Sequence, residues 1–376
     1  MRTAGIIAEC NPFHEGHAHL LRRARSVSGA DYVIVVLSGD YVQRGAPAIQ
    51  DKYLRTRAVL EGGADLVLEL PLYYACGAAD YFARGAVTLL ARLNVVTDLV
   101  FGSESADLNA LLKAADALKD RGSDRFRDSL LKGLRRGQTY AQAQAAFSPD
   151  IPKSSNDLLG AHYLAAASAF QDDSAPQFHA VKRIPAPSAS ELRSRMLASG
   201  DRLTAPYLCA DDFSGALLMR LLEQRDHLED YADVSGPLAD RIRAQLPSYR
   251  GFEDFVSQVK TRDVTYTRVA RSLLHILLDV RTADLMQLQE LGVIPYVRVL
   301  GLRDSASALL SEISRKASCP VLVRSADAEH LPDGKSQALL QKEIRAAWLY
   351  DLTAAGLASS EKNGAVPEYG RRLIRI

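Results

Sequence analysis

Cysteine is scarce in this sequence, and a net charge is nearly absent. The 376 residues include only four cysteines, which lie far apart at Cys10, Cys76, Cys209 and Cys319. Because none of them forms a Cys-x-x-Cys pair, neither a zinc ribbon nor a disulfide framework is indicated. Lys and Arg number 46 against 45 Asp and Glu, so the formal net charge is +1. No global field favours a nucleic acid, and any RNA contact must come from local basic patches.

Long hydrophobic runs are missing as well. No apolar stretch approaches the ~20 residues that a membrane span needs, and no charged-then-apolar leader opens the chain. Hydrophobic residues make up 47% of the chain and charged residues 24%, which is ordinary for a soluble globular protein. At about 100 to 200 residues per domain, the length allows two cores. We expect a protein of the reducing cytoplasm with no membrane segment.

The most informative stretch lies near the start of the chain. The apolar run 6–8 stops at the turn-forming pair Asn11 and Pro12, as a short buried strand does. Ala18 and Leu21 then begin a helical spacing of apolar residues. A strand therefore leads into a helix N-terminus through a tight loop. Free backbone N–H groups and the positive end of the helix dipole make such a loop suitable for an anion.

Two histidines in this loop flank a glycine. Gly16 lets a phosphate approach the backbone without a Cβ in the way. His14 and His17 lie three residues apart, so both can donate hydrogen bonds to phosphate oxygens from one face of the helix. A metal site is the alternative, although His-Glu-Gly-His is one residue shorter than the zincin spacing. His19 is typical of a solvated helix residue, and Cys10 of a small buried one.

Further apolar runs predict a parallel sheet. Residues 29–39, 63–71 and 95–102 each lead through a turn into a continuous apolar strand. Strands this apolar must be covered on both faces, as in parallel sheets with crossover helices. We therefore predict a Rossmann-like α/β domain over residues 1–200 and a mostly α-helical second domain over residues 201–376.

Loops at the carboxyl ends of such strands hold the ligands. Asp40 and Arg44 stand between two glycines in the second loop, a composition that suits a small anion and equally suits a solvated turn. Gly102 ends a later strand and permits a base or ribose to lie close to the backbone. Asn156, in a Ser-Ser-Asn segment, is typical of a helix N-cap.

Several segments together resemble one enzyme family. Residues 10–17, Cys-Asn-Pro-Phe-His-Glu-Gly-His, resemble the (H/T)xGH signature of the nucleotidylyltransferase superfamily, whose members attack the α-phosphate of ATP and release pyrophosphate. Six further segments, beginning at Leu37, Gly63, Phe101, Ser155, Val181 and Tyr296, follow in the order found in bacterial tRNA(Met) cytidine acetate ligases. The resemblance covers nearly the whole chain.

This resemblance implies site residues. It assigns catalysis to His14 and His17, and it assigns ATP binding to a continuous stretch and three later residues: Ile7, Ala8, Glu9, Cys10, Asn11, Pro12, Phe13, His14, Glu15, Gly16, His17, Ala18, His19, Leu20, Gly102, Asn156 and Arg183. Residues 185–193 resemble the second superfamily signature, a Ser-rich helix start that holds the β and γ phosphates. The resemblance makes Ser188 a phosphate contact there. The candidate phosphate or acetate contacts are Asp40, Arg44, Ser190 and Arg193.

The resemblance also implies a reaction. Acetate and ATP would give acetyl-AMP and pyrophosphate, and the acetyl group would pass to the exocyclic amine of the wobble cytidine in elongator tRNA(Met), forming N4-acetylcytidine. Mg²⁺ is expected with the phosphates, although no protein cage for a metal is evident. His14 is the candidate base for the second step. Two alternatives stay open: a nucleotidyltransferase acting on a phosphorylated small molecule, and a nucleotide- or RNA-binding protein without turnover. No protein partner is implied.

Three basic segments are candidates for RNA contact. They are the stretch 121–136, in which aspartates interleave with the basic residues, the helix segment 265–275, and the terminal residues 371–375. The alternative interpretation of the stretch 121–136 is a solvated helix surface. The alternative interpretation of the segment 265–275 is a helix packed by its leucines.

Overall fold

The computed structural model describes residues 1–119, 150–170, 175–199, 207–357 and 366–376, together with Asp128 and Lys132. The strands in these residues are β1 Thr3–Ala8, β2 Tyr32–Ser38, β3 Tyr41–Val42, β4 Ala46–Pro47, β5 Leu66–Leu70, β6 Asp98–Ser103, β7 Gln177–Lys182, β8 Val297–Leu302, β9 Val321–Leu322 and β10 Ile374–Arg375. The helices of the first 200 residues are α1 Glu15–Ser28, α2 Lys52–Glu61, α3 Leu72–Ala75, α4 Ala79–Arg92, α5 Leu108–Lys119, α6 Ser155–Ala166 and α7 Ala189–Ala198. Those that follow are α8 Ser214–Glu223, α9 Gly236–Gln245, α10 Phe252–Val259, α11 Tyr266–Leu278, α12 Thr282–Glu290, α13 Ser307–Lys316 and α14 Gly334–Leu357.

A mostly parallel sheet forms the centre of the molecule. Its strand order is β10-β8-β5-β2-β1-β6-β7, and β9 pairs with β8. The strands from β5 to β7 in this order are all parallel, with Ile6 of β1 opposite Val35 of β2. Val33 and Val35 belong to one core cluster, and Ile34 and Val36 belong to another. The sheet is therefore buried on both faces, as its apolar runs predicted, and the predicted α/β class is confirmed.

Strands from the second half of the chain extend this sheet. β8 pairs antiparallel with β5, with Leu66 opposite Leu302, and β9 and β10 pair parallel with β8. All six residues of β8 are buried. The rest of this half is mostly helical, and α11 is packed through leucines that include Leu273 and Leu274. The division at residue 200 stays a prediction, and the structure adds that one sheet crosses it.

A buried ion network joins the two halves. Lys52 Nζ lies 2.7 Å from a Glu368 oxygen, 3.0 Å from Glu69 and 3.5 Å from Asp40. Arg298 lies 2.7 Å from Glu69 and 2.5 Å from Glu368. Removing one member of such a network leaves an uncompensated buried charge, which is strongly destabilising. The network thus holds the helix start of α2, the strands β5 and β8 and the C-terminal segment in one arrangement.

Glu343 on α14 is a buried carboxyl beside this network. Its Oε1 accepts a hydrogen bond of 2.9 Å from the backbone N–H of Leu72. Burial, and then the charge of Glu69, raise the pKa of Glu343 from 4.5 to about 7. A carboxyl whose pKa is raised by folding favours the folded state at low pH, and that contribution is lost as the pH rises from about 4.5 to about 7.

Glu343→Gln should therefore stabilise the protein at high pH. The amide keeps the oxygen that accepts from Leu72 and carries no charge at any pH. We expect the free energy of unfolding of the variant to exceed that of the parent at pH 8, by on the order of 1 to 3 kcal/mol, and the difference to vanish below pH 5. Urea unfolding at both pH values measures this. Glu61→Gln, at an exposed glutamate, is the control, and a difference that is the same at both pH values would contradict the assignment.

Candidate active site

Two histidines accept backbone hydrogen bonds in the loop between β1 and α1. His14 is the N-cap residue of α1, and its Nδ1 accepts a hydrogen bond of 3.0 Å from the backbone N–H of Gly16. The backbone N–H of His14 in turn donates to Nδ1 of His17 at 3.3 Å. The ring centroids are 3.9 Å apart. A backbone N–H can only donate, so both Nδ1 atoms are acceptors, and each neutral imidazole carries its proton on Nε2.

Both imidazoles are neutral in this arrangement. Burial is the main cause that lowers the pKa of His17, to about 3, and the neighbouring His14 and Arg183 lower it further. Burial and Arg183 also lower the pKa of His14. No described residue accepts a hydrogen bond from either Nε2. The loop therefore presents two free N–H donors next to a helix N-terminus, which is an arrangement suited to an anion.

Gly16 has a structural role besides its predicted role of admitting a phosphate. A Cβ at this position would lie 2.8 Å from Cε1 of His14, closer than such atoms approach each other. A side chain at Gly16 would thus displace the ring that caps the helix. The sequence predicted the glycine but not this reason for it.

The predicted second signature lies against the same loop. Arg193 of α7 donates to the backbone oxygen of Asn11 at 2.8 Å, and the peptide bond after Asn11 is cis. The side chain of Asn11 accepts a hydrogen bond of 2.8 Å from the backbone of Ile49. Ser188 caps α7 together with Glu191. Ser190 is exposed on the first turn of that helix.

Gly102, Asn156 and Arg183 come together around a residue that the sequence did not single out. Glu104 Oε1 accepts a hydrogen bond of 2.6 Å from the side chain of Asn156 and lies 3.3 Å from Arg183. A Cβ added at Gly102 would have Arg183 as its nearest neighbour. Ser154 holds the N-cap position of α6, so Asn156 is not the cap. The acidic residue two positions after Gly102 was the available signal for Glu104.

Asp40 and Arg44, the two candidate residues of the second loop, lie in different surroundings. Asp40 is 5% exposed, its Oδ1 accepts from the backbone of Lys52 at 2.8 Å, and burial raises its pKa to about 7. Its phosphate or acetate contact stays a prediction, and the structure gives this carboxylate partners within the ion network. Arg44 is exposed at the turn between β3 and β4. It lies close enough to Glu9 and Arg193 to affect the pKa of both.

Arg55 ties the first two loops together. Its guanidinium donates to the backbone oxygen of Glu9 at 2.8 Å, to that of Ser38 at 3.0 Å, and also to that of Gly39. Basic residues near a helix start are usually solvated, but Arg55 is 1% exposed. Cys10 is also buried, and burial raises its pKa to about 12, which agrees with a packed thiol rather than a nucleophile.

The three basic segments that were candidates for RNA contact differ in how far the structure describes and exposes them. In the stretch 121–136 the structure describes only Asp128 and Lys132, so that candidate otherwise lies outside the described residues. His275 is buried with Nδ1 2.9 Å from the backbone oxygen of Ala232, and Arg271 lies 3.3 Å from Asp233. Packing of α11 buries His275, whereas Arg271 is partly exposed and held in an ion pair. In the other two segments, the exposed basic or aromatic residues include Tyr266, Arg268, Arg372 and Arg375.

His19 lines an open cavity of about 650 Å³ beside the site. Arg23, Lys182 and Arg183 contribute to the same wall. The sequence predicted a solvated helix residue at His19, but the structure places it half-buried at this cavity. Within the described ranges, no three His, Cys, Asp or Glu side chains are grouped to hold a metal ion. The helices described here include none that is both long and apolar enough to cross a membrane.

Comparisons with known proteins agree with this geometry. The model of the HIGH Nucleotidyl Transferase family matches residues 1–205 and 192–364. A tRNA(Met) cytidine acetate ligase from Acetivibrio thermocellus is 33% identical over an alignment 395 positions long, which covers 93% of this chain and 94% of that protein. Another from Caldicellulosiruptor saccharolyticus is 31% identical and covers 94% of both chains.

Solved structures are similar over the full length. Thermotoga maritima TmcAL bound with alpha-thio ATP is 27% identical, with a TM-score of 0.88 and complete coverage of both chains. The apo form of the same protein gives a TM-score of 0.87 at 26% identity. With matches along nearly its whole length, the chain belongs to the HIGH nucleotidyltransferase family and, within it, to the enzyme family of tRNA(Met) cytidine acetate ligases.

Proposed function

We propose that this chain is an ATP-dependent ligase that activates acetate as acetyl-AMP and then acetylates the wobble cytidine of elongator tRNA(Met). The observation that carries the proposal is the pair of neutral imidazoles at the start of α1, whose Nε2–H groups have no partner among the described residues. The relatives' names supply the acceptor and the acyl group. A cytoplasmic location follows from a tRNA substrate.

The first step needs positioning and charge stabilisation more than covalent chemistry. An acetate oxygen attacks the α-phosphorus of ATP, a new P–O bond forms, and the bond to the bridging oxygen breaks so that pyrophosphate leaves. His14 and His17 donate hydrogen bonds to the α-phosphate oxygens, where charge develops. Arg193 and the start of α7 hold the leaving phosphates, and Gly102, Asn156 and Arg183 bind the nucleoside part of ATP. Arg44 is the candidate for the acetate carboxylate.

Mg²⁺ is expected to arrive with ATP rather than to occupy a protein cage. The described residues contain no cluster of three ligating side chains. Phosphate oxygens and water are sufficient ligands for this ion, which usually retains several waters.

The second step places a single-stranded cytidine next to the adenylate. Sequence-specific RNA recognition usually targets loops whose bases are splayed out, and the anticodon loop is of this kind. Tyr266 and Arg268 are exposed on the first turn of α11 and offer an aromatic surface and a cation. We assign them to RNA backbone and base contacts in place of Arg271 and His275.

ATP–pyrophosphate exchange tests the proposal. Purified protein is assayed with acetate, with other short carboxylates and with none, and labelled acetate is then followed to tRNA(Met). Exchange that depends on acetate, with label on the tRNA, is the expected result. Exchange without any carboxylate would favour a nucleotidyltransferase that acts on a small molecule, and no exchange would favour a binding protein.

His17→Ala should abolish exchange without unfolding the chain. The variant loses a donor to the α-phosphate, for which we expect a fall of about 100-fold or more in rate. It also loses one capping hydrogen bond, which costs about 1 kcal/mol of stability. Exchange assays and thermal unfolding measure the two effects separately. His330→Ala, at an exposed histidine, is the control. Normal exchange in the His17 variant would remove the catalytic assignment.

Arg193→Ala should slow the release of pyrophosphate. A hydrogen bond to a charged group contributes about 1.5 to 3 kcal/mol, so the exchange rate should fall about 10- to 100-fold. Arg195→Ala is a matched control, because Arg195 is an exposed arginine of the same helix. Equal effects of both substitutions would show that Arg193 has no specific part in the reaction.

A further inference from the structure

Glu9 is a carboxyl at the centre of the site that the first step does not use. It directly follows β1, whose neighbours in the sheet are β2 and β6. Its Oε1 accepts a hydrogen bond of 2.9 Å from the backbone N–H of Gln43, in the hairpin that also carries Arg44. Its own backbone oxygen is held by Arg55. The carboxylate is thus fixed between the histidine loop and the second loop.

The surroundings keep this carboxylate available. It forms no ion pair with any described residue, although Arg44, Arg55 and Arg193 are all near. Arg55 donates to backbone oxygens, and Arg193 to that of Asn11. Burial raises the pKa of Glu9, and the three arginines and the Gln43 hydrogen bond oppose this only in part. Three other titratable groups interact electrostatically with Glu9, namely Cys10, Cys76 and Tyr163. The pKa of each is raised, so all three are neutral at pH 7.

The histidines cannot take the role of a base here. In each neutral ring Nε2 already carries the proton, and Nδ1 accepts a backbone N–H. To accept a further proton, either ring would have to break its helix-capping hydrogen bond. His14, the candidate base from the sequence, is therefore replaced by Glu9, a carboxyl of the same loop whose Oε2 has no hydrogen-bond partner among the described residues.

We propose that Glu9 is the general base of the acetyl-transfer step and accepts the proton that the attacking amine loses. This inference rests on the proposed function. The amine nitrogen attacks the carbonyl carbon of acetyl-AMP, and a C–N bond forms. The bond from that carbon to the phosphate oxygen breaks, and its electron pair leaves with AMP. One N–H proton passes to the Oε2 of Glu9, while Oε1 stays bound to Gln43.

A carboxyl of raised pKa suits this task. An exocyclic amine conjugated to a pyrimidine ring is a weak nucleophile, and it becomes strongly acidic once it has attacked the carbonyl carbon. A base is most effective when its pKa lies near the working pH. The phosphate of bound acetyl-AMP carries a negative charge that would offset part of the positive charge opposing the effect of burial, so occupancy of the site should make Glu9 more basic.

Glu9→Gln tests the inference by separating the two steps. The amide keeps the shape and the oxygen that accepts from Gln43 but cannot take up a proton. We expect single-turnover transfer from enzyme-bound acetyl-AMP to tRNA(Met) to fall at least 100-fold, and at least 30-fold more than acetate-dependent exchange. The transfer rate of the parent should rise with pH to a plateau, and this dependence should disappear in the variant. Glu61→Gln is the matched control.

Each possible result of this experiment either supports the role of Glu9 or overturns it. Transfer and exchange that fall together would overturn the inference, because Glu9 would then serve ATP or the fold. Transfer at the parent rate, or an unchanged pH profile, would overturn it as well. Glu9→Asp, which retains a carboxyl, should recover part of the transfer rate together with its pH dependence. Absence of acetate-dependent exchange in the parent protein would instead reject the proposed function, and the inference with it.

Discussion

The reciprocal hydrogen bonds between His14 and the first turn of α1 set the chemistry of the site. Each ring uses Nδ1 to hold a backbone N–H, and this choice leaves the proton on Nε2. Burial and the charge of Arg183 keep both rings neutral. The helix cap and the predicted catalytic donors are therefore the two nitrogens of the same rings. A change that loosens the helix start also changes the tautomers, and Gly16 is needed for both.

The second half of the chain completes this site through buried contacts. Gly45 closes the hairpin with a φ of 78°, and a Cβ there would clash with the backbone of Ala270 and Arg271 in α11. The hairpin thus packs directly on a helix of the C-terminal half and presents Arg44 beside Glu9. Lys52 and Glu368 join the same two halves through the ion network. The position of the second loop therefore depends on both halves of the chain.

Much of this could be predicted from the sequence, and the failures have a common cause. Apolar runs and turn residues indicated the parallel sheet, and the His-Glu-Gly-His pattern indicated the loop, because both are local signals. The antiparallel pairing of β8 with β5 depends on contacts between residues more than 200 positions apart, which no local pattern encodes. Arg55 looks like a solvated helix residue in the sequence and His275 like an RNA contact, but distant partners bury both. Glu104 was missed because a single carboxylate after a strand has no distinctive spacing.

Nitrogen NMR of histidine-labelled protein tests the central claim, that His14 and His17 are neutral imidazoles protonated on Nε2. Spectra recorded between pH 5 and 8 distinguish the two neutral tautomers and the imidazolium, and single His→Gln variants assign the signals. We predict that both residues stay in the Nε2–H form throughout this range in the absence of ATP. A proton on Nδ1 of either ring, or an imidazolium at pH 7, would contradict the account.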